Sequence, residues 1–318
     1  MLIIGGGPAG LSAAYACQTL GMRHLLLEGT DELGGQLSWT QSTIHGFLFS
    51  DAQSPAAVRQ QFVDAVVDKG CQFETSVKAK QIIVGDNRPI TVVVHGEHEQ
   101  RDITCRKLIV AAGAKARRLG VPGEDLPQVY GASFSVTRHS ALFQGKVVAV
   151  IGGGDRALEG ALYAAKAGAQ VMLIHRGAEF SARQEFRTAL LRQPQVKVML
   201  NTNVANISNS SRGMQQVTRN MMGTVKLRLV NHCEGQCSEE IVDAVVLRIG
   251  MAPDTTLLEG VAKMNADHTV VTNRFLQTTH SDIYAIGDIA TPTFATSLAV
   301  AVSHGALAVR HIALTLGD

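Results

Sequence analysis

MLIIGGGPAG, residues 1–10, is the stretch whose reading decides the fold of this chain. Leu2, Ile3 and Ile4 form a short apolar run suited to a buried strand. Gly5, Gly7 and Gly10 follow as G-x-G-x-x-G, and Leu11 to Leu20 reads as an Ala-rich helix. Strand, glycine turn and helix in that order make a dinucleotide fingerprint. Gly5 permits the tight turn, Gly7 lets the backbone approach a pyrophosphate, and Gly10 lets helix and strand pack closely. The phosphates would sit on the helix's orphan N–H groups and its positive dipole end. An acid is expected about 20 residues after the glycines to hold a ribose hydroxyl. The second strand, His24 to Leu27, ends in Glu28. The competing reading is a glycine turn that serves packing alone.

The 318 residues make two domains the default. With 46% hydrophobic and 18% charged residues the composition is that of a globular protein. A net charge of +2 gives no argument for nucleic acid or an anionic membrane as partner. No apolar run of bilayer length is expected. The first residues run straight into the strand with no basic region before it, so no signal peptide is expected and a cytoplasmic protein is the simplest reading. Five cysteines do not resemble a secreted disulfide framework, and no metal cluster is predicted.

After Glu28, Leu33-Gly34-Gly35-Gln36-Leu37 reads as a loop close to a flat ligand, or as a plain turn. Trp39 and Phe47 to Phe49 cover a flat ligand, sit in a subunit contact or pack in the core. Pro55 to Lys69 has Val58, Phe62, Ala65 and Val66 at helical spacing. Short strands are read at Cys71–Val77, Gln81–Val84, Ile90–His95 and Asp102–Cys105, with turns at Gly85-Asp86-Asn87 and Gly96-Glu97. Leu108 to Ala112 is a buried strand ending at Gly113. A basic stretch from Lys115 to Pro122-Gly123 marks the first domain boundary.

A second fingerprint follows. Lys146–Ile151 is a strand, Gly152, Gly154 and Ala157 give G-x-G-x-x-A, and the helix Leu158–Ala167 leads to the strand Gln170–Ile174. Further strands are read at Val196–Leu200, Val204–Asn206, Val225–Asn231 and Val242–Ile249. Ile249-Gly250 with Pro253-Asp254 marks the second boundary. Ile283–Asp288 then gives a strand ending in Gly-Asp, and a helix runs from about Ser297 to Leu316. Asp288 is either a ligand-holding acid or a helix N-cap.

GGGPAGLSAA, GGQL, LIVAAGA, GVPGE, VAVIGGG and YAIGD, in that order, resemble the low-molecular-weight thioredoxin reductases nearly end to end. The resemblance implies an α/β fold of two Rossmann-like, three-layer nucleotide-binding domains, the second inserted in the first. It implies FAD in a discontinuous domain of residues 1–114 and 250–318, an NAD(P)H-type domain at 115–249, and a homodimer. The implied FAD contacts fall on Gly5, Gly7, Gly10, Glu28, Gly35, Gln36, Leu37, Ala112, Gly113, Gly287 and Asp288, the last on the ribityl chain. Gly152, Gly154, Arg156, His175 and Arg176 are the corresponding candidates in the central domain.

Departures from the family pattern are as informative. Where thioredoxin-reducing members carry C-A-x-C-D, this chain has Ser135-Val136-Thr137-Arg138-His139. Without a thiolate there, electrons cannot pass to a disulfide by the family's route. The NADPH signature H-R-R with a later arginine is reduced to His175-Arg176-Gly177 and Ser181. A 2′-phosphate is normally held by a cluster of charge-assisted contacts, so the pattern argues against NADPH. An asparagine usual near the flavin aligns loosely with His45. Arg156, inside the second glycine loop, either narrows the pyrophosphate site or contacts a phosphate.

Cys233 and Cys237 flank Glu234-Gly235-Gln236 between strand-like runs. A three-residue hairpin loop would set the pair opposite each other, with Cα atoms about 4.5–5.5 Å apart. A disulfide needs about 4.4–6.8 Å. They are a redox pair or two surface thiols; Cys17, Cys71 and Cys105 are read as core. A second FAD in the central domain would fit its motif, as in diflavin-linked disulfide oxidoreductases, with ferredoxin as donor. The leading expectation is therefore a FAD-dependent disulfide oxidoreductase using Cys233 and Cys237, with a ferredoxin or thioredoxin-like partner. The rivals are a pyridine-nucleotide-linked ferredoxin or quinone reductase and a non-catalytic flavin-binding redox sensor.

Overall fold

The computed structural model describes residues 1–40, 44, 47–48, 53–85, 89–97, 99–210 and 223–316. Asp86, Asn87, His45 and Phe49, named above, lie outside the described residues. The chain divides into two compact units, Met1–Lys115 with Ala252–Asp318, and Ala116–Met251.

The first unit opens with β1 (Leu2–Ile4), α1 (Pro8–Thr19) and β2 (Leu25–Leu27). Pro8 stands in the first turn of α1, where its missing N–H costs nothing. Then come α2 (Pro55–Asp68), capped by Ser54 Oγ, which accepts from Ala57 N at 3.2 Å, and β3 (Phe73–Glu74). β4 (Lys78–Ile83), β5 (Ile90–His95) and β6 (Gln100–Cys105) form an antiparallel meander, followed by β7 (Leu108–Val110). The chain leaves this unit through β8 (Ala114–Ala116).

The second unit holds β9 (Val129–Tyr130), β10 (Val147–Ile151), α3 (Asp155–Lys166), β11 (Gln170–Ile174), α4 (Gln184–Leu190) and β12 (Val196–Met199). It ends with β13 (Thr202–Asn209), β14 (Val225–Asn231), β15 (Cys237–Val242) and β16 (Ala244–Leu247). The sequence reads Val242–Ile249 as one strand, but Asp243 divides it. Asp243 Oδ2 accepts from Val147 N at 2.8 Å, and Asp243 N donates to Val147 O at 2.8 Å. The chain thereby passes from an antiparallel sheet to a parallel one. β17 (Met251–Pro253) returns to the first unit, which closes with β18 (Ile283–Ala285) and α5 (Leu298–Leu316).

Each unit has a five-stranded parallel sheet, ordered β18-β7-β1-β2-β3 and β12-β11-β10-β16-β9. Such strands are buried on both faces and read as continuous apolar runs, as LII, LIV and VVAVI do. Helices cover one face and a three-stranded antiparallel sheet the other. In the first unit, Ile3, Ile109 and Tyr284 pack with the helices, while Leu2, Leu108 and Ile283 pack with β4–β6. In the second unit Val148 and Leu173 meet α3, and Ala149 and Met172 meet β13–β15. Both units are thus three-layer α/β.

Helix α5 corrects one expectation. Its 19 residues have the length and composition of a membrane-crossing segment, contrary to the reading that no apolar run approaches that length. In this fold one side of it lies on α1. Ser12 Oγ donates to Val302 O at 2.7 Å, and a Cβ at Gly305 would come within 2.5 Å of Ala9 O.

Candidate functional site

A cavity of about 420 Å³ lies at the carboxyl ends of the first parallel sheet, where open α/β sheets bind ligands. Its wall is the β1–α1 loop, Glu28, Gly35-Gln36-Leu37, Ala112-Gly113, Gly287-Asp288 and residues 296–298 at the start of α5. Gly5 has φ +105°, and a Cβ there would lie 2.3 Å from Ala111 O. A Cβ at Gly35 would lie 2.9 Å from Gly7 Cα, so the two glycine loops touch backbone to backbone. Gly10 does not line the cavity; it lies beneath, where a Cβ would lie 1.8 Å from Gly5 O.

The polar groups are fixed by one another. Glu28 Oε2 accepts from Gly6 N at 2.6 Å, and its Oε1 accepts from Thr30 N and Oγ1 at 2.8 and 2.9 Å. The carboxylate is therefore held at the end of β2, as a ribose-binding acid requires. Gln36 Nε2 donates to Asp288 Oδ2 at 2.7 Å across 252 residues of sequence. Asp288 heads a short 3-10 turn at Gly287–Ala290 and does not cap α5; that cap is Ser297, whose Oγ accepts from Val300 N at 3.2 Å. Of the two readings of Asp288, the helix cap of α5 is thus removed. Trp39 is half-buried and lines the cavity, a position that its sequence context leaves open.

The second unit repeats the design with different chemistry. A cavity of about 610 Å³ is lined by Gly152–Ala157, His175, Arg176, Ser181, Thr202–Val204 and Arg117, Arg118 and Arg248. A Cβ at Gly152, φ +146°, would lie 2.2 Å from Arg248 O. A Cβ at Gly153 would lie 2.3 Å from the His175 ring, just as one at Gly6 would lie 3.0 Å from Glu28 Oε2. His175 thus stands where the first unit has its acid. Its Nε2 lies 3.0 Å from Glu179 O. Asp155, in the first turn of α3, is taken by Arg183: Nε donates to Oδ2 at 2.6 Å and the backbone N to Oδ1 at 2.7 Å.

Two further arginines shape this cavity. Arg156 Nη2 donates to Ala132 O at 3.1 Å. Arg248 Nη1 donates to Gly131 O at 2.9 Å and to Leu247 O at 2.8 Å, and its Nη2 donates to Phe134 O. Burial pulls both guanidinium groups down, Arg248 to about 10, while burial pushes the Glu159 carboxyl up despite both arginines. Arg248 escapes the sequence reading because VVLRIG looks like one strand. The available signal is a charge at the carboxyl end of a parallel strand, where ligands bind.

The thiols are elsewhere. Among the described residues neither cavity is lined by cysteine. Ser135 to His139 form turns in which the His139 ring stacks on Phe134 with centroids 4.9 Å apart. Burial raises the Cys17 thiol to about 12 and that of Cys105 to about 11, leaving both inert. The hairpin geometry expected for Cys233 and Cys237 is corrected. Cys237 lies opposite Val230, and Asn231 N donates to Gln236 O, so the loop has four residues, His232 to Gly235. Asn231 Oδ1 accepts from Cys233 N at 2.9 Å and Glu234 N at 3.1 Å, an Asx turn that draws Cys233 into the loop. Both thiols are free and exposed, and they are not a cross-strand pair.

Fold and cavities define a protein of two Rossmann-type units, each with a glycine-lined cavity. The chain belongs to the pyridine nucleotide-disulphide oxidoreductase family, whose model matches residues 1–306. It is 32% identical to the glucosaminate ammonia-lyase of Pseudomonas fluorescens over 301 residues, 91% of this chain and 87% of that protein. It is 30% identical to the thioredoxin reductase of Escherichia coli O157:H7 over 298 residues, 91% of this chain and 87% of that one. The thioredoxin reductase structure from Lactococcus lactis superposes with a TM-score of 0.79 at 22% identity, covering 98% of this chain and 97% of its own; that likeness speaks for the fold. The chain is a FAD-dependent oxidoreductase of the thioredoxin reductase-like kind. The first cavity fits FAD: two glycine loops in backbone contact at Gly7 and Gly35, an acid held at the end of β2 and the Gln36–Asp288 pair.

Proposed function

We propose that this protein takes electrons from a reduced pyridine dinucleotide lacking the 2′-phosphate, bound in the second cavity. It passes them from the flavin to an acceptor without a cysteine relay beside the flavin. The supporting observation is that both dinucleotide cavities are lined without cysteine among the described residues. A bound flavin would supply two-electron redox chemistry. The residues of the chain hold and orient. The orphan N–H groups of α1 and α3 would face the phosphates, Glu28, held by Gly6 N, would meet a ribose, and Asp288, fixed by Gln36, would meet the ribityl chain. At the second site Arg176 is exposed on the rim, and Gly177 and Ser181 supply no cation for a 2′-phosphate. A ferredoxin or a quinone is the acceptor class this reading takes.

A disulfide-reducing reading is favoured by a different observation: Cys233 and Cys237 are exposed in one hairpin, and several relatives are named thioredoxin reductases. In that reading a thioredoxin-like protein is the partner, and a second FAD could take the central site.

Flavin analysis of the purified protein separates these readings. We expect one FAD per chain, fast bleaching by NADH and slow bleaching by NADPH. Cys233→Ser with Cys237→Ser should leave turnover with NADH and a quinone unchanged. Two flavins per chain, or loss of turnover in the double variant, would count against the first reading.

A further inference from the structure

The turn Gly287-Asp288, in the wall of the first cavity, is held from three sides. Asp288 Oδ2 accepts from Gln36 Nε2 at 2.7 Å, and Gly287 O accepts from Thr291 Oγ1 at 2.8 Å. The third hold comes from α5: Gly287 N donates to His304 Nδ1 at 3.3 Å. Gly287 is buried with φ +72°, and a Cβ there would lie 3.0 Å from Ala9 Cβ, so the turn is pressed against the start of α1. A buried N–H needs an acceptor. The single proton on Gly287 N is directed at Nδ1, so that nitrogen must offer its lone pair and the ring proton must sit on Nε2. A doubly protonated ring has no acceptor to offer. Burial lowers the pKa of the His304 ring, against the Asp288 carboxylate, which is the charged group that acts on it. Helix α1, packed on α5, carries no charged side chain from Pro8 to Thr19, and on α5 the next charged side chain is Arg310. His304 does not line the cavity; it reaches a ligand there only through the turn.

We propose that His304 is a positioning residue for the flavin: its neutral ring, by accepting from Gly287 N–H, sets the turn that carries Asp288 into the first cavity. Protonation at Nδ1 replaces the acceptor with a donor facing a donor, and the turn must move. The sign of the pH effect follows. The neutral ring is the one the folded site uses, and its pKa there is lowered. Its contribution is therefore complete above the ordinary histidine value of about 6.5 and is lost as the pH falls from there toward the folded value. This inference rests on the FAD reading of the first cavity.

Dilution of the FAD-loaded protein, with released flavin read by its fluorescence, gives the FAD Kd across pH and tests it. At about pH 8, His304→Leu should weaken FAD binding about tenfold, the effect of a buried N–H left unpaired. His304→Asn puts Oδ1 where Nδ1 stands and should restore binding to within about threefold of wild type. Between about pH 7 and about pH 5 the wild type should lose about tenfold in affinity. His304→Asn, whose acceptor does not titrate, should lose less than about twofold over the same range. Equal Kd for wild type and His304→Leu at the higher pH, or His304→Asn binding no better than His304→Leu, overturns the proposal. So does a wild-type Kd that does not change with pH, or an equal fall in wild type and His304→Asn. If His304→Leu does not fold, the pH profiles of wild type and His304→Asn decide alone. A wild type that holds no FAD overturns the FAD reading, and this inference with it; FAD held with one pH profile in wild type and His304→Asn overturns only the inference.

Discussion

Gly10→Ala is expected to yield protein that has lost most of its flavin and melts several degrees early. The single added carbon would lie 1.8 Å from the carbonyl oxygen of Gly5 and 3.1 Å from its carbonyl carbon. Neither is a side-chain tip that can swing away. Gly5 is itself pinned, since its N–H donates to Leu27 O at 2.8 Å and its own Cβ position is filled by Ala111 O. The loop must therefore open or α1 must retreat, and both movements displace the N–H groups meant for the pyrophosphate. Overpacking of this kind costs about 3 kcal/mol. Expressed as affinity that is a loss of roughly 100-fold for FAD, and as stability a fall in Tm of about 5–10 °C. Absorbance of bound flavin per chain and a thermal melt measure both. The third position of the second loop is Ala157, fully buried, so that turn has room for a methyl group. Ala157→Gly should accordingly leave FAD content unchanged. Full flavin content in Gly10→Ala would show that the contact in the first loop is softer than drawn.

The residues that made the fold legible are those whose chemistry is local. Gly5 and Gly10 announce a backbone that no side chain fits, and the structure places each against a backbone oxygen. The runs LII and VVAVI announce strands buried on both faces, and both are central in their sheets. Glu28 follows its strand at the spacing a ribose demands and is held there by Gly6. What stayed hidden depends on pairing. Nothing local says that Cys237 lies opposite Val230; the register goes with an Asn231 side chain that turns into the loop to accept from the Cys233 and Glu234 N–H groups. Asp243 interrupts an apolar run invisibly because its carboxylate serves a strand almost 100 residues earlier. Arg248 gained its meaning only when β16 was placed beside β10, with the arginine at the mouth of a cavity. Periodicity finds elements, but the site is made where elements from distant parts of the chain end together.

On the proposed reading of the second cavity as an NADH site, Ser181→Arg should shift donor use toward NADPH. Ser181 is exposed at the rim of the second cavity, with its Oγ donating to Gly153 O at 3.3 Å. A longer side chain there has solvent to extend into and reaches the side of the cavity where Arg176 stands. That is the end of β11, where the adenosine ribose belongs. Restoring the same charge at Gly177 is a poorer choice, because a Cβ there would lie 2.8 Å from His175 Nε2 and disturb the ring that packs on the phosphate loop. One new guanidinium beside Arg176 adds charge-assisted hydrogen bonding to a 2′-phosphate that contributes about 1.5–3 kcal/mol in total at this exposed position. The ratio of kcat/KM for NADPH over NADH should therefore rise about 10- to 100-fold. The gain should lie in KM for NADPH, since the phosphate is bound alike before and during hydride transfer. It should also shrink with added salt, because the new pair sits at the solvent edge. NADH turnover should hardly change. A variant in which both cofactors keep their wild-type ratio would place the adenosine end elsewhere, and the assignment of His175 and Arg176 to it would fall.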